Sequence, residues 1–397
     1  MRFRIDAKEL SQALNAVATK GRLQYDCVLE AVQGSVIVRH SDGLSYSEIT
    51  LPAEVLEEGK VSVVTPMLLK FLKTVGQSEV EISLHDRLSR LVVRVENGTY
   101  FLPLGIDQDE DDAFRAQVIA LMNEAKPVVT FKSPSVWRDS SIVKQFRGQW
   151  DFGFIWVVPI LRQIDWALSK PVVAVVATDQ YALGAVLLTE NNAECYVDSE
   201  MTLFVPPEWE TLPVVSFALA SKDEKHYTYA IANNGFIAAP TIQNNSQAYC
   251  KAVNRFLTEA GVRVHFDRQT WQSVRKAIQT YAKSVQKGSI GGVPRWDIQP
   301  DGTHFIWSTE EQGFLFTAEK ASIDGNLPAT ATFNVSLLNK AVQFIPAPSA
   351  VEIFQNGNLS TLRLRDEFNY RVCVVQGMSI GNDYESYRAM QEPASVK

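Results

Sequence analysis

A pattern that occurs three times limits the folds open to this chain of 397 residues. In each copy a strand runs through a short polar break into a brief helix, and alternating strands follow. The clearest copies occupy residues 59–104 and 329–378, and a weaker copy occupies residues 199–240. Corresponding positions lie about 140 and about 130 residues apart, so each copy belongs to a unit of domain size.

The segment before each copy also repeats. It begins with a short strand, MRFRID, VVTFK or VRVHF, and continues into a longer helix. Capping residues and apolar spacing predict these helices at about 7–20, 133–146 and 267–287. A strand pair should follow each helix, and in the middle unit it is formed by PILRQIDWAL and PVVAVVATD.

The predicted fold class is α+β, with three repeated domains that each contain an antiparallel β-sheet and two helices. Their boundaries are 1–113, 127–246 and 260–380, followed by a C-terminal tail at 381–397. The acidic stretch 106–113 and the polar stretch 241–249 are the expected linkers. Unrelated α+β proteins also contain strand–helix–strand pieces, so this prediction depends on the domain-sized spacing.

The composition, 46% hydrophobic and 21% charged, is typical of a globular protein with large cores. No apolar run approaches the roughly 18 residues of a membrane span, and no apolar stretch of a signal peptide follows the basic N-terminus. The four cysteines are far apart, which favours a reducing cytoplasm over a disulfide framework or a zinc site. The net charge of −7 argues against a protein that coats nucleic acid with a uniformly basic surface.

The helix predicted at 267–287 departs from this acidic average. Its cations fall on one side, within about 120° of one another, and its one acid is Asp267 at the N-cap. A solvated surface helix is the alternative, but such a helix usually mixes charges, so we expect this side to face phosphates. The apolar stripe on the other side consists of Trp271, Val274, Ile278, Tyr281 and Val285.

Other helices carry more cations than acids. Each of these helices alone fits a solvated surface as well as a surface that faces phosphates. No helix-turn-helix, zinc-finger or RRM motif accompanies them, so the expected binding is to the DNA backbone without sequence specificity. The candidate DNA-binding residues are Lys8, Lys20, Arg22, Lys70, Lys73, Arg138, Lys144, Arg147, Arg268, Arg275, Lys276, Lys283 and Lys287.

Enzyme motifs are missing from the sequence: no P-loop, dinucleotide fingerprint, zinc-protease motif or nucleophile elbow occurs in a fitting context. A metal site is conceivable only in the acidic stretch, at Asp107, Asp109, Glu110, Asp111 and Asp112. Consecutive acids in a linker point in several directions and are more often solvated. We therefore expect a protein without catalytic activity, cofactor or bound metal.

Three segments resemble the bacterial replicative sliding clamp, the β subunit of DNA polymerase III. MRFRIDAKELSQALNAVATKG is similar to the first strand and helix of that family, and PILRQIDWALSKPVVAVVATDQYAL is similar to its second-domain hairpin. FNVSLLNKAVQF, followed by VEIFQNG and YRVCVVQGM, resembles the end of its third domain. None of these segments is diagnostic alone, but their order and spacing extend over nearly the whole chain.

The resemblance implies a processivity factor, in which two chains join head to tail as a homodimer and each forms half of a closed ring around double-stranded DNA. Helices would line the pore and sheets the outside. Its partners would be a DNA polymerase and a clamp loader, with no membrane. It would act in the cytoplasm, at the bacterial nucleoid or a replication site in an infected cell. The alternative is a clamp-derived scaffold that binds proteins without encircling DNA, and a monomeric state would distinguish it.

Two further sites are implied by position in the family. The dimer interface would use Lys70, Phe101, Leu104, Tyr281 and Val285. The partner-peptide pocket would use Leu161, Thr178, Gln180, Tyr181, Ala182, Leu183, Val374 and Met378.

Departures from the family occur at this pocket. Gln180 and Ala182 stand where the family motif A-T-D-G-x-R-L has glycine and arginine, and 19 residues follow Met378, where the family stops within a few. These differences would suit a divergent or viral clamp that accepts a different peptide.

Overall fold

The computed structural model of the chain describes residues 1–17, 26–75, 79–85, 88–105, 111–206, 209, 212–222, 225–242, 246–286, 295–299, 302–308, 313–318, 322–324, 331–356 and 359–378. The α-helices in these residues are α1 (Ala7–Val17), α2 (Thr65–Val75), α3 (Asp111–Asn123), α4 (Pro134–Ser140), α5 (Ser246–Thr258), α6 (Arg268–Gln286) and α7 (Val335–Phe344).

The strands of the first third of the chain are β1 (Arg2–Asp6), β2 (Asp26–Val32), β3 (Ser35–Ser41), β4 (Tyr46–Pro52), β5 (Glu54–Glu57), β6 (Gly59–Val64), β7 (Glu79–His85), β8 (Arg90–Val95) and β9 (Gly98–Pro103). Those of the middle third are β10 (Lys126–Phe131), β11 (Ile155–Pro159), β12 (Pro171–Thr178), β13 (Ala182–Thr189), β14 (Ala193–Cys195), β15 (Leu203–Val205), β16 (Val214–Lys222), β17 (Lys225–Ala232) and β18 (Gly235–Pro240). Those of the last third are β19 (Val262–His265), β20 (Arg295–Gln299), β21 (Gly302–Ser308), β22 (Gly313–Ala318), β23 (Ser322–Asp324), β24 (Ala331–Asn334), β25 (Ala350–Asn356), β26 (Leu359–Asp366) and β27 (Arg371–Gln376).

The chain forms two compact units. The first comprises Met1–Ser141, Asn191–Asp198 and Phe204–Asn244. The second comprises Ile142–Glu190, Ser199–Leu203 and Asn245–Lys397. The domain boundaries 1–113, 127–246 and 260–380 stay a prediction.

Two sheets build the first unit. One has the strand order β5-β1-β7-β8-β9, and the other has the order β14-β10-β16-β17-β18-β4-β3-β2-β6. Helices α1 and α2 pack against each other. α1 buries Leu10 and Leu14, as its apolar spacing predicts. Asp6 caps α1, since its Oδ1 accepts the backbone N–H groups of Lys8 and Glu9 at 2.8 and 2.9 Å.

The second unit has the same kind of architecture. One sheet contains the strands β11-β12-β13-β27-β26-β25-β19-β23 in that order, and a smaller sheet has the order β22-β21-β20-β24. Helices α6 and α7 pack against each other. The strands of both units pair antiparallel, for example β3 with β4 in the first and β26 with β27 in the second, so the predicted α+β class with antiparallel sheets is confirmed.

The predicted helix at 133–146 is correct only in its first half. Ser133 and Pro134 begin α4 as expected, but the α-helix ends at Ser140 and a 3₁₀ helix follows over Ser141–Phe146. The hydroxyls of Ser140 and Ser141 donate to the carbonyls of Trp137 and Arg138, both at 2.8 Å. Here each serine hydroxyl bonds to the carbonyl three residues back, the spacing of the hydrogen bonds in the 3₁₀ helix that follows.

The hairpin strand predicted at PILRQIDWAL is also wrong. The strand that pairs with β12 is β11, one segment earlier, with Trp156 opposite Val176 and Pro159 opposite Val173. All five residues of β11 are buried, whereas exposed residues such as Leu161 and Leu168 follow it. The fully apolar IWVVP segment therefore takes the place beside β12, and the mixed segment after it forms the connection.

Both predicted linkers contain the start of a helix. α3 begins at Asp111, and its Val118 and Leu121 pack on β16 and β17. α5 begins at Ser246 and buries Cys250, Val253 and Leu257 at three- and four-residue spacing. These helices were missed because polar and acidic residues at a helix start also fit a loop.

Candidate DNA-facing and partner-binding surfaces

Helix α6 has the two-sided character that its sequence predicts. Asp267 caps it, since Oδ1 accepts the backbone N–H of Thr270 at 2.8 Å. The apolar side buries Trp271, Val274 and Ile278. Tyr281 is half-buried, and this burial raises the pKa of its hydroxyl. The side chain of Val285 lies outside the described residues.

The opposite side of α6 carries positive charge. Arg268, Lys276 and Lys283 are exposed, and Arg275 is half-buried. Between them the hydroxyls of Ser273, Thr280 and Ser284 donate to carbonyls of the preceding turn, at 2.8–3.2 Å. The helix from Arg268 to Gln286 contains no Asp or Glu, so its solvent side presents cations and short polar groups alone. Lys287 lies beyond the described part of the helix.

The remaining candidate cations are spread over both units. Lys8 of α1 and Lys70 and Lys73 of α2 are exposed, and α2 has no acidic residue. Arg138 is exposed but lies 3.7 Å from the carboxylate of the adjacent Asp139, which reduces its availability. The last candidates differ in exposure: Lys144 is exposed, Arg147 is half-buried, and Lys20 and Arg22 fall outside the described residues.

The hairpin turn between β12 and β13 brings most of the predicted peptide-pocket residues together. Ala182 pairs with Val375 and Leu183 with Val374, so the turn lies beside the closing strand β27. The backbone N–H of Gln376 donates to the carbonyl of Tyr181 at 2.7 Å.

Exposure within this group is uneven. Tyr181 is 57% exposed, whereas Ala182, Leu183 and Val374 are buried and form part of the sheet core. Met378 follows the closing strand and donates its backbone N–H to the carbonyl of Thr332 at 2.8 Å.

Leu161 is not brought to this turn. The backbone N–H of Ile160 donates to the carbonyl of Val172, which places Leu161 at the start of β12, whereas Thr178 ends that strand. Because Trp156 pairs with Val176, the register points to Phe154 as the residue opposite Thr178. The sequence predicted the first hairpin strand one segment too late, and this is why Leu161 was expected at the turn.

Lys340 of α7 contacts the hairpin turn, and the sequence did not reveal this contact. Its Nζ donates to Oδ2 of Asp179 in the hairpin turn. The two residues are 161 positions apart, so no local pattern connects them. The only sequence signal is that Lys340 is the single charged residue of α7.

A largely apolar rim marks the predicted dimer interface on the first unit. A pocket of about 780 Å³ lies between α2 and β9. The rings of Phe71 and Tyr100 lie 4.5 Å apart there, and Lys70 lines the same pocket. Phe101 is 53% exposed, whereas Leu104 is half-buried and forms an isolated β-bridge with Val63.

The acidic stretch contributes to the fold where it is described. Asp112 forms ion pairs with Arg39 at 2.8 Å and Lys60 at 3.0 Å. Within the described residues no group of three or more His, Cys, Asp and Glu side chains could hold a metal ion. No helix in that part of the chain is long and apolar enough to cross a membrane.

Among the comparisons with known proteins, only the one with solved structures finds matches. No protein-family model matches the sequence, and no curated protein matches it. Among solved structures, a sliding clamp (DNA polymerase III subunit β) from Pseudomonas aeruginosa bound to griselimycin has a TM-score of 0.67 at 15% sequence identity. That match covers 96% of this chain and 100% of the other. The fold is that of the bacterial sliding clamps.

Further clamps of this fold match over the same length. A β clamp from Helicobacter pylori bound to a DNA ligase peptide has a TM-score of 0.64 at 12% identity, and a DNA polymerase sliding clamp from Caulobacter crescentus has a TM-score of 0.65 at 14% identity. Each match covers 96% of this chain and 100% of the other. The resemblance to sliding clamps inferred from the sequence is therefore confirmed for the fold.

Proposed function

We propose that the protein is a DNA polymerase processivity factor. In this proposal two copies close head to tail into a ring that encircles double-stranded DNA without sequence specificity and tethers the polymerase. A clamp loader places the ring on DNA at the site of replication, and the protein catalyses no reaction. The observation that carries the proposal is the sliding-clamp fold over 96% of the chain.

The charge of α6 supports the DNA-binding part. A helix that exposes Arg268, Lys276 and Lys283 and lacks acids is unusual in a chain of net charge −7. Cations on a helix surface without base-reading side chains attract phosphates of any sequence. Such contacts are weak and exchange rapidly, which suits a ring that slides.

The open sheet edges support the ring. Among the described strands, β9 ends one sheet of the first unit and β22 ends the smaller sheet of the second. If the first-unit edge of one copy paired with the second-unit edge of its neighbour, the unpaired backbone N–H and C=O groups of both edge strands would form hydrogen bonds. The proposed interface places Lys70, Phe101 and Leu104 against Tyr281 and Val285 of the other copy.

The hairpin turn is the proposed docking site for partner peptides. Exposed Tyr181 and the neighbouring Gln180, beside Met378, would contact a short segment with apolar anchors, over a floor formed by Leu183 and Val374. The Helicobacter clamp binds a DNA ligase peptide, which supports a peptide-binding site in this fold, and the Pseudomonas clamp binds griselimycin. Leu161 stays outside the proposed groove.

Topological retention on DNA tests the ring. The protein is loaded on a nicked circular plasmid with its clamp loader and ATP, and the complex is separated from free protein in high salt. We expect the protein to stay with the circle and to be lost within minutes after a restriction enzyme linearises it. Equal retention on both forms, or no retention on the circle, would contradict a sliding ring and favour the scaffold alternative.

A further inference from the structure

The hairpin turn between β12 and β13 is held in an unusual conformation. Gln180 has φ +83°, a left-handed backbone region that residues other than glycine adopt at a cost. The turn is not an open loop at this point, because the backbone N–H of Gln180 donates to Oγ1 of Thr178 at 3.1 Å. A strained residue persists only where its surroundings hold it in place.

Asp179 is the centre of the contacts that hold the turn. Its Oδ1 accepts the backbone N–H groups of Tyr181 at 3.1 Å and Ala182 at 2.8 Å. Its own N–H donates to the carbonyl of Ala182 at 3.1 Å, and its Oδ2 accepts from Nζ of Lys340. The Asp179 side chain is 14% exposed and that of Lys340 is 37% exposed, so the ion pair is partly shielded from water.

The turn is also confined from the other side. Gly148 donates its backbone N–H to the carbonyl of Thr178 at 3.1 Å, and a Cβ on Gly148 would lie 2.8 Å from Cα of Asp179. The rings of Phe146 and Phe344 meet edge to face at 5.2 Å, which joins the 3₁₀ segment to α7 beneath the sheet. Gly148 therefore fixes the backbone of Asp179, and the orientation of the carboxylate depends on its hydrogen bonds and on Lys340.

We propose that Lys340 is a positioning residue for partner binding: its ammonium group orients the Asp179 carboxylate, which keeps the turn at Gln180 in the conformation that presents Tyr181 to a peptide. The proposal rests on the peptide-docking role proposed above for this turn. It assigns to α7 a function in the docking site beyond packing against β27.

Substitution of Lys340 tests this role. Lys340→Met removes the charge and keeps most of the side-chain volume, and Lys340→Arg restores a cation. Lys251→Met is the matched control, because Lys251 also forms an ion pair, with Glu200 at 3.0 Å, but lies on α5. Hydrogen–deuterium exchange of fragments that cover 178–183 reports on the amides of Tyr181 and Ala182, and titration with griselimycin reports on binding.

The expected result is specific to Lys340. In Lys340→Met the exchange at 178–183 should rise about tenfold and the affinity for griselimycin should fall about tenfold, since a charge-assisted hydrogen bond is lost. Lys340→Arg should recover most of both, and Lys251→Met should match wild type. Asp179→Asn should behave like Lys340→Met, and the double variant should show little further change because both act through one contact.

Other outcomes separate this inference from the proposed function. If wild type does not bind griselimycin, the result counts against the docking site at this turn, and the exchange at 178–183 alone decides whether Lys340 holds the turn. If wild type binds but Lys340→Met binds equally well, the positioning role alone is overturned. Unchanged exchange at 178–183 in Lys340→Met would show that the ion pair does not hold the turn, which also overturns the inference.

Discussion

Asp112 joins a helix to a sheet through a single carboxylate. It lies in the first turn of α3, where its oxygens contact Nη2 of Arg39 at 2.8 Å and Nζ of Lys60 at 3.0 Å. Arg39 is 1% exposed, and its other carboxylate contact, Glu30, is 3.7 Å away. The hydrogen bond from Lys60 and then that from Arg39 outweigh the effect of burial and lower the pKa of Asp112.

We expect Asp112→Asn to reduce the free energy of unfolding at pH 7 by about 1–2 kcal/mol, less than for a fully buried pair because Asp112 is half exposed. The folded pKa lies below the unfolded value of about 3.9, so the carboxylate stabilises the fold above that pH. Its contribution is lost as the pH falls through the folded pKa. Urea unfolding at pH 7 and about pH 2.5 should show the gap to wild type closing in acid. Asp139→Asn, at an exposed site, is the control, and a gap that persists in acid would refute this linkage.

Gly235 shows the importance of a missing side chain. It pairs with Ile49 where β18 meets β4, and a Cβ there would lie 2.1 Å from the carbonyl oxygen of Glu48. No L side chain fits so close to another strand. The glycine therefore allows β18 and β4, which are far apart in the sequence, to join in one sheet.

Helix α3 covers this strand junction. Arg115 donates to both carboxylate oxygens of Glu48 on β4, at 2.7 and 3.2 Å. On the other side of the junction the hydroxyl of Tyr229 on β17 donates to the carbonyl of Val118 at 3.0 Å. Ala218 and Ala220 lie beneath the helix, and their small side chains leave room for it to pack close to the sheet.

Removing the charged contact of α3 should weaken the unit. Arg115→Ala leaves Glu48, whose side chain is 13% exposed, without its bidentate partner, so we expect a loss of about 1.5–3 kcal/mol in the free energy of unfolding. Denaturant unfolding measures the loss. Gln117→Ala, on the exposed side of the same helix, should stay within about 0.5 kcal/mol of wild type. Equal effects of the two substitutions would mean that the ion pair does not anchor α3.

Reversing the charge on the positive side of α6 tests whether that side binds DNA. Replacing Arg275, Lys276 and Lys283 with glutamate should weaken DNA binding and reduce its dependence on salt. With about 0.9 counterions released per phosphate contact, the slope of log K against log salt should shrink by about 2–3. A control with the same change in net charge replaces Lys132, Lys170 and Lys251, which are all paired with glutamates outside α6. If both sets weaken binding equally, net charge and not the face of α6 would be responsible.

The assembly of two chains is the premise of the proposed function. The rim of α2 and β9 exposes Met67, Tyr100 and Phe101, three large apolar side chains that would be costly to leave in water as a patch. Burial of such a patch in an interface that repeats head to tail would close a ring and also cover the edge strand β9.

We expect the wild-type protein to be a dimer at micromolar concentration and Phe101→Asp to dissociate it. A charge in the centre of an apolar interface should raise the dissociation constant by roughly thirtyfold or more. Light scattering over a dilution series measures this. Phe368→Asp is a matched control, because Phe368 is 80% exposed at a hairpin tip of the second unit, outside the proposed interface. A wild-type monomer at these concentrations would remove the basis for the ring.

Local sequence signals were sufficient for much of this protein. Asp6 and Asp267 were recognisable as helix caps, and the spacing of Leu10 and Leu14 or of Val274 and Ile278 identified the buried sides of α1 and α6. The repeated order of strands and helices indicated the α+β class and the similarity to sliding clamps. The caps and buried sides depend on residues within a few positions of one another, and the class depends on the order in which such segments repeat, both of which a sequence displays directly.

The remaining features depend on partners that are distant in the sequence. The pairing of β11 with β12, which displaced Leu161 from the turn, was set by which apolar segment entered the sheet core. The docking of α3 needed Glu48, 67 positions away, and the contact of Lys340 with Asp179 spans 161 positions. Such contacts form only after the chain has folded, because burial and long-range pairing outweigh the weak local preferences that a sequence shows.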